Sequence, residues 1–482
     1  MRTIGTPSTQ VRKLNAIASG TLPSGDPVIV NANGTVSVVA GFAEAVGSPV
    51  VFESATTFYS SATFDSNSNK VVVAYADFGN SGYGTAIVGT VSGTSISFGS
   101  AVVFESASTS NFSATFDSSS NKVVISYTDA GNSNYGTAVV GTVSGTSISF
   151  GSAVVFESAN TSNPYFSSVF DSNSNKVVIA YTDGGNSNYG TAIVGTVSGT
   201  SISFGTPVVF ASHTTYYSAT TFDSNSNKVV IVFYNGSSAG EGIAIVGTVS
   251  GTSISFGSAV EFSGDATAHF DATFDSNSNK VVIGYRNNLG SFSYGVVGTV
   301  SGTSISFGTP VEFDSNTIPD RITAAFDSSS NKVTFAYRGS ANTYYGTAIV
   351  GTVSGTSISF GTPVVFSAAA TSMVSSTFDS SSNKVVICYK NGGNSSYGTA
   401  VVFQNASNNL TSENFIGIAS NGYNDTKAAT IDVQGAINDR QSGLTAGQSY
   451  YVQADGTLNT TPADPSVFAG TAISANKMIV KG

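Results

Sequence analysis

The chain contains no tryptophan, a single cysteine, two histidines and few charges, and each scarcity closes off a class of function. Cys388 stands alone in the apolar run KVVICYK, so no disulfide framework exists and a packed thiol is expected. Asp, Glu, Lys and Arg supply only 10% of the residues, with a net charge of −10 and no cluster of Lys or Arg anywhere. A phosphate backbone is repelled by such a chain, and nucleic acid is excluded as a partner. The first twenty residues, MRTIGTPSTQVRKLNAIASG, lack an apolar core, and no run approaches the roughly eighteen apolar residues of a membrane span. Neither a secretion signal nor membrane insertion is expected, which places assembly of the protein in a cytoplasm.

Gly, Ser, Thr, Asn, Val, Phe and Tyr dominate instead, the vocabulary of strands and tight turns. The motif TFDSNSNKVV begins at Thr63 and returns with small changes, placing its phenylalanine at Phe64, Phe116, Phe170, Phe222, Phe274, Phe326 and Phe378. Every interval is 52 residues except one of 54. Within a period, four β-rich runs (Tyr59 to Phe64, Lys70 to Tyr75, Tyr83 to Val91, Ser95 to Phe104) are separated by the turns DSNSN and VSGTS. A four-stranded meander repeated seven times predicts an all-β fold, a seven-bladed β-propeller.

An open solenoid is the competing architecture, and the ends of the array decide against it. The last repeat stops at YGTAVVFQN, Tyr397 to Asn405, without its SGTSISFG hairpin, while VGSPVVFESA before the first repeat matches FGSAVVFESA from Phe98. An N-terminal strand therefore completes the last blade and closes the ring. The first strand of each blade is expected along the axis, and the second, apolar on both faces, between blades.

The expected domains are a propeller over 41–405 and one small β-barrel or sandwich built from 1–40 and 406–482, into which the propeller is inserted. The two flanks resemble each other. SGDPVIVNANGTVSVV from Ser24 and AGQSYYVQADGTLNTT from Ala446 both read as a strand, an Asn-Gly or Asp-Gly turn and a strand, and ENFIGIAS at Glu413 pairs with VFAGTAIS at Val467. These terminal patterns resemble modules in virion structural proteins of tailed bacteriophages, especially marine ones. The FDSNSNKVVVAY and GTAIVGTVSGTSISFGS repeats are similar to propeller repeats of phage tail and fibre proteins. The resemblance implies a β-rich virion component assembled in host cytoplasm, and supplies no catalytic residues.

Chemistry-bearing patterns are thin. A sialidase-like or depolymerase activity would need paired carboxylates, and the Asp-box with its aromatic end that marks sialidase blades is missing. No catalytic residue, metal ligand or cofactor is expected. DSNSN begins like a calcium loop but lacks the following Gly and the distal Glu, and three copies read DSSSN; an Asx-turn closing a hairpin explains it. What varies is one face. The connectors between blades (ESATTFY, ESANTSNPYF, ASHTTYY, SGDATAHF, DSNTIPDRI) and the loops joining second to third strands drift while the opposite hairpins repeat. After the second-strand aromatic, blades 1 to 3 carry Asp77, Asp129 and Asp183, and blades 5 to 7 carry Arg286, Arg338 and Lys390 one residue earlier. This face is expected to be acidic on one side and basic on the other.

The candidate contact residues are those six together with His213, Tyr216, Tyr217, His269, Arg321, Tyr344 and Tyr345, with Tyr165 on a further connector. The expected function is that of a non-enzymatic virion protein, exposed on a tail or fibre, which contacts a bacterial surface glycan through this face and other virion proteins through the terminal domain. A homo-oligomer is compatible with it. A purely structural capsid-decoration or tail-assembly role, or a depolymerase, are the alternatives.

Overall fold

The computed structural model describes residues 12–161, 166–237, 240–265, 267–287, 292–315, 321–339, 344–463 and 465–481. The chain divides into two compact units, Ala45–Asn405 and the pair of flanks Met1–Glu44 with Ala406–Gly482. Residues 41–44 group with the flanks, because Gly41–Phe42 pairs with Ser407–Asn408.

In Ala45–Asn405 the described strands pair into seven antiparallel meanders, each of three strands and a fourth in two pieces. Blade 1 shows the common register: Phe64 opposite Val71, Val71 opposite Gly89, and Gly89 opposite Phe98. The first strands neighbour one another in order, the seventh against the first, so the ring is closed. At the seam, the third strand of blade 7 pairs with the N-terminal segment, Phe403 opposite Val46 and Ala400 opposite Val50.

The second strands are the walls between blades. Val71, Val72, Val73, Ala74 and Tyr75 are wholly buried, and each such valine contributes about 1.5–3 kcal/mol on leaving water. Alternate residues serve the two neighbours: Val72 and Ala74 pack with Val123 and Ile125 of blade 2, while Val71 and Val73 pack with Val386 and Cys388 of blade 7. Burial pushes the Cys388 thiol up to about 12, leaving it protonated and inert. A polar seam accompanies four of the walls. The Tyr75, Tyr127 and Tyr181 hydroxyls donate to Glu53, Glu105 and Glu157 of the preceding blade's outer strand at 3.0–3.1 Å, and Tyr337 does so to Asp314 at 2.9 Å. In blade 4 the tyrosine becomes Phe233 and the acid's position holds Ala211, so the hydroxyl and its acceptor are absent together.

The structure explains why the hairpins repeat so strictly. Asp65 is buried, and its Oδ1 accepts the N–H groups of Asn67 and Ser68 at 2.9 and 3.0 Å. Asn69 then takes a left-handed φ of 55°, and the same asparagine does so in every copy from Asn121 to Asn383, a conformation Asn tolerates better than most residues. The glycine of SFG is held by packing. A methyl on Gly99 would overlap the carbonyl of Thr146 in the next blade's hairpin, and Gly151, Gly205, Gly257 and Gly308 repeat the contact. Gly361 meets only an ordinary contact because blade 7 lacks that hairpin, and Gly47 of the closing segment packs on Thr94 in its place.

Two expectations need correction. The fourth strand is not continuous from Ser95 to Phe104; it breaks after Phe98 and resumes at Val102, because Gly99 must hug the neighbouring blade. The connectors are largely not loops. Val50–Asp65, Val102–Asp117, Val208–Asp223 and Val364–Asp379 are single sixteen-residue strands, outermost in one blade at the start and innermost in the next at the end. Runs such as SATTFY are rich in β-branched and aromatic residues and find strand partners on both sides.

The flanks form two five-stranded sheets of matching order. One runs Lys13–Ile17, Ala428–Asp432, Phe415–Ala419, Pro27–Val30, Val36–Val38; the other runs Ile437–Asn438, Lys477–Val480, Val467–Ser474, Ser449–Val452, Leu458–Asn459. Ile29, Phe415 and Ile418 of the first share a core with Tyr450, Val467 and Met478 of the second, which makes a sandwich.

Candidate functional site

On the face opposite the DSNSN hairpins, five of the first strands carry an irregularity five residues before the repeat phenylalanine. Tyr59, Asn111, Tyr217, His269 and Met373 all sit there with φ between 48° and 55°, and the strand register slips at each. These are β-bulges; they bring Tyr217 and His269 to the axis, while Asn111 is buried with its Nδ2 3.5 Å from Thr128 Oγ1. Left-handed backbone at a bulky residue costs about 1–2 kcal/mol, and it recurs in five blades. Arg321 occupies the corresponding position in blade 6; Tyr165, its counterpart in blade 3, lies outside the described residues.

Below this ring lies an axial cavity of about 220 Å³, lined by hydroxyls, small residues, Tyr217, His269 and Arg321. Its wall is stitched from blade to blade. Ser61 accepts the N–H of Ala114 at 3.0 Å, Ser113 that of Ser168 at 2.8 Å, Ser167 that of Thr220 at 3.1 Å, Thr323 that of Ser376 at 3.1 Å, and Ser375 that of Ala62 at 2.9 Å. Blade 4 has Ala219 at this position and has nothing to offer Ala272. Asp271 of blade 5 compensates: Oδ1 accepts its neighbour Ala272 N–H and Oδ2 accepts Ala324 N–H, both at 2.9 Å. Desolvation raises the Asp271 carboxyl, and the two amides and Arg321 pull it back.

Beside the cavity, a pocket of about 500 Å³ opens between blades 4 and 5, lined by Tyr216, Tyr217, Tyr234, Thr267, Ala268, His269 and Arg286. Tyr234 is the hub, with ring centroids 5.8 Å from Tyr216 and 6.4 Å from Tyr217; Tyr217 in turn lies 5.1 Å from His269. Burial, then the charges of Arg286, Arg321 and Arg338, hold His269 down to about 4, so its imidazole is neutral at pH 7. Burial and the nearby Arg338 lower Arg286 as well, with Tyr217 opposing. His269 Nδ1 and Arg286 Nε are both shut off from solvent without a hydrogen-bond partner among the described residues.

The structure thus brings Tyr216, Tyr217, His269 and Arg286 into one pocket, with Arg321 on the adjoining axis. Arg338 acts on the same group electrostatically and lays its guanidinium 4.8 Å from the ring of Tyr344, an exposed residue. Lys390 sits apart, its Nζ 3.6 Å from the ring centre of Phe58, which also meets Phe78 at 4.8 Å. Five residues lie elsewhere or play other parts. Asp77 and Asp183 accept the N–H of Gly79 and Gly185 at 2.9 Å and so shape their own loops. Burial raises the carboxyls of Glu53, Glu105 and Glu157, and the charges of Asp77, Asp129 and Asp183 add to it. Being one residue further along the strand than the cations, the three acids point to the other side of their blades, toward the outer-strand glutamates. His213 lies in a strand with Nδ1 3.2 Å from the Thr214 carbonyl, not on a loop. Tyr345 begins the third strand of blade 6 and is the repeat's own tyrosine, like Tyr83 and Tyr135.

Tyr234, Phe58 and Asp271 escaped the sequence reading. A signal existed for the first: Tyr234 follows the second-strand aromatic Phe233, in the same column as Arg286, Arg338 and Lys390.

No protein family and no curated protein matches the chain. Among solved structures, the BP39L lectin from Burkholderia pseudomallei is similar at a TM-score of 0.52 and 12% identity, over 74% of this chain and 99% of that one. The periplasmic gluconolactonase PpgL of Pseudomonas aeruginosa gives 0.47 at 10% identity over 74% and 98%, and the six-bladed β-propeller lectin of Aleuria aurantia 0.42 at 14% over 65% and 98%. At these identities the likeness to the first concerns the fold.

Proposed function

We propose that this chain is a carbohydrate-binding β-propeller that acts without catalysis, and that the glycan sits at the bulge-lined opening with the pocket of Tyr216, Tyr217 and Tyr234 as its main contact. The observation that carries this reading is the gathering of three tyrosines, His269 and Arg286 at one opening on backbone strained to present them. Flat rings with hydroxyl rims suit the apolar face and the hydroxyls of a sugar. Asp271 is the one carboxylate among the described residues lining the cavity or this pocket, and both its oxygens are committed to backbone amides. A flank recess holds Glu312 and Asp314, but Asp314 is engaged by Tyr337. Hydrolysis of a glycosidic bond calls for two available carboxyl groups.

The setting belongs to the same proposal. The terminal modules support a phage virion component assembled in host cytoplasm, exposed on a tail or fibre, held to other virion proteins by the sandwich, and presenting the ring to a bacterial surface glycan. Weak single contacts would be multiplied by copy number on the particle. Immunogold microscopy of intact particles tests the location.

For binding, the protein is screened against bacterial surface polysaccharides and the hits are repeated with Tyr217→Ala and Tyr234→Ala. Loss of binding by at least tenfold with an unchanged melting temperature is expected. Retention by both variants, or release of reducing ends from a bound polysaccharide, overturns the reading.

A further inference from the structure

The charge of the saccharide can also be argued, on the premise that the opening binds glycan. The unit Ala45–Asn405 carries eleven Lys and Arg residues, of which seven are the lysines of the repeated hairpins. The remaining four are Arg286, Arg321, Arg338 and Lys390, all on the opposite face and all in blades 5 to 7. In a chain of net charge −10, this concentration is not the by-product of a basic surface.

Two of the four line openings that share Tyr217 and His269, Arg286 the pocket and Arg321 the axial cavity, and the charge of Arg338 reaches the same group. Arg286, Arg321 and Arg338 all act on His269, and Arg286 and Arg338 oppose each other. Cations brought together at a partly desolvated site repel, and a buried N–H without an acceptor carries a desolvation cost. Arg286 Nε bears that cost, and its guanidinium has no carboxylate partner among the described residues. The nearest acid on the axis, Asp271, has its oxygens on Ala272 and Ala324. An oxyanion in the pocket against the Arg286 guanidinium would relieve the repulsion; a neutral hydroxyl would not. The tyrosines beside it supply the surface for the ring that carries the anion.

We infer that the pocket between blades 4 and 5 selects an anionic saccharide, with the sugar's carboxylate on Arg286 and its ring against Tyr217 and Tyr234. A sulfate ester presents the same chemistry, and the assay separates the two sources.

The test uses the full-length protein and isothermal titration at low and physiological salt. The probes are oligogalacturonate, a matched galactose oligomer in which each carboxylate is a hydroxymethyl group, and a sulfated galactose oligomer. One acidic oligomer is expected to bind at least tenfold more tightly than the neutral one. That advantage should shrink with salt and vanish in Arg286→Gln, whose melting temperature serves as the folding control. Lys70→Gln, on the hairpin face, should keep it. Equal binding of neutral and acidic oligomers, or an advantage that survives Arg286→Gln, overturns the inference and leaves the glycan reading standing. If no acidic oligomer binds at millimolar concentration, the inference falls; if the polysaccharide screen is also blank, the glycan reading falls with it.

Discussion

The stitched wall of the axial cavity has one irregular stitch, and it can be taken apart quantitatively. At five of seven blades a Ser or Thr hydroxyl accepts the next blade's amide, whereas Asp271 accepts two amides because Ala219 accepts none. Asp271→Ser restores the common residue and keeps an acceptor for Ala324, but leaves the Ala272 N–H stranded, at a cost of about 1–3 kcal/mol. Ala219→Ser alone adds a hydroxyl where the amide is already bonded, so its effect should stay within about 0.5 kcal/mol. Combined with Asp271→Ser, that hydroxyl supplies what Ala272 lost. The double variant should therefore recover at least about 1 kcal/mol relative to Asp271→Ser. Removal of the buried carboxylate's charge is common to both backgrounds and cancels in the cycle. For a unit of roughly 360 residues, an unfolding entropy near 2 cal/mol/K per residue converts 1 kcal/mol into about 1.3 °C. The coupling is thus small but measurable in replicate calorimetric scans, and exchange of the Ala272 amide provides a local check. If Ala219→Ser stabilises the parent and the Asp271→Ser protein equally, Asp271 is not standing in for the missing hydroxyl and the compensation argument is wrong.

Two other perturbations bear on site and fold. His269 is held near 4 against an ordinary value of about 6.5. Its contribution is therefore fully present above pH 6.5 and lost as pH falls through 4, up to about 3 kcal/mol. The carboxyls of Glu53, Glu105 and Glu157 are raised, so they contribute with the opposite sign, losing stability as pH rises above their ordinary 4.5. The difference between the parent and His269→Asn isolates the histidine, since Asn111 shows that asparagine fits this left-handed position. An imidazole titration midpoint near 6.5 by NMR would contradict the packing described. Gly99→Ala should destabilise the ring by about 1–3 kcal/mol through overpacking, while Gly361→Ala, lacking the neighbouring hairpin, should change it by less than about 0.5 kcal/mol. Equal melting temperatures for the two variants would refute the contact as the reason for the glycine.

Much of the ring was readable because one local demand recurs seven times. Asp65 and Asn69 satisfy a turn that needs an acceptor and a left-handed residue, and any blade needs the same pair. The seam was readable for the same reason, since VGSPVVFESA is a displaced copy of a known strand. The site was only partly legible. Its positions are defined by packing between blades, and Tyr217, His269 and Met373 share a backbone conformation that none of these residue types advertises. Variation was therefore visible, but which varying residues meet was not. Asp77 and Arg286 looked like counterparts when aligned by loop, yet a one-residue offset in a strand sends them to opposite sides. The outer connectors read as loops because Gly-free stretches of Ser, Thr and Tyr changed from blade to blade, although their strand propensity was high.

The seam also sets an order of events in time. Val50 pairs with Ala400, so the two halves of one sheet are separated by about 350 residues of chain. Blades 1 to 6 hold their first three strands and the start of the fourth within a short stretch of sequence, and can form as the chain emerges. Blade 7 cannot be finished until its third strand has been made, and the segment Val50–Thr56 must wait for it. Closing so long a loop is slow compared with the local meanders. During that interval the waiting segment and the open edge are complementary to each other and equally to those of a second chain. Chain concentration at the moment of synthesis then decides between a self-closed ring and two rings that have exchanged their first strands.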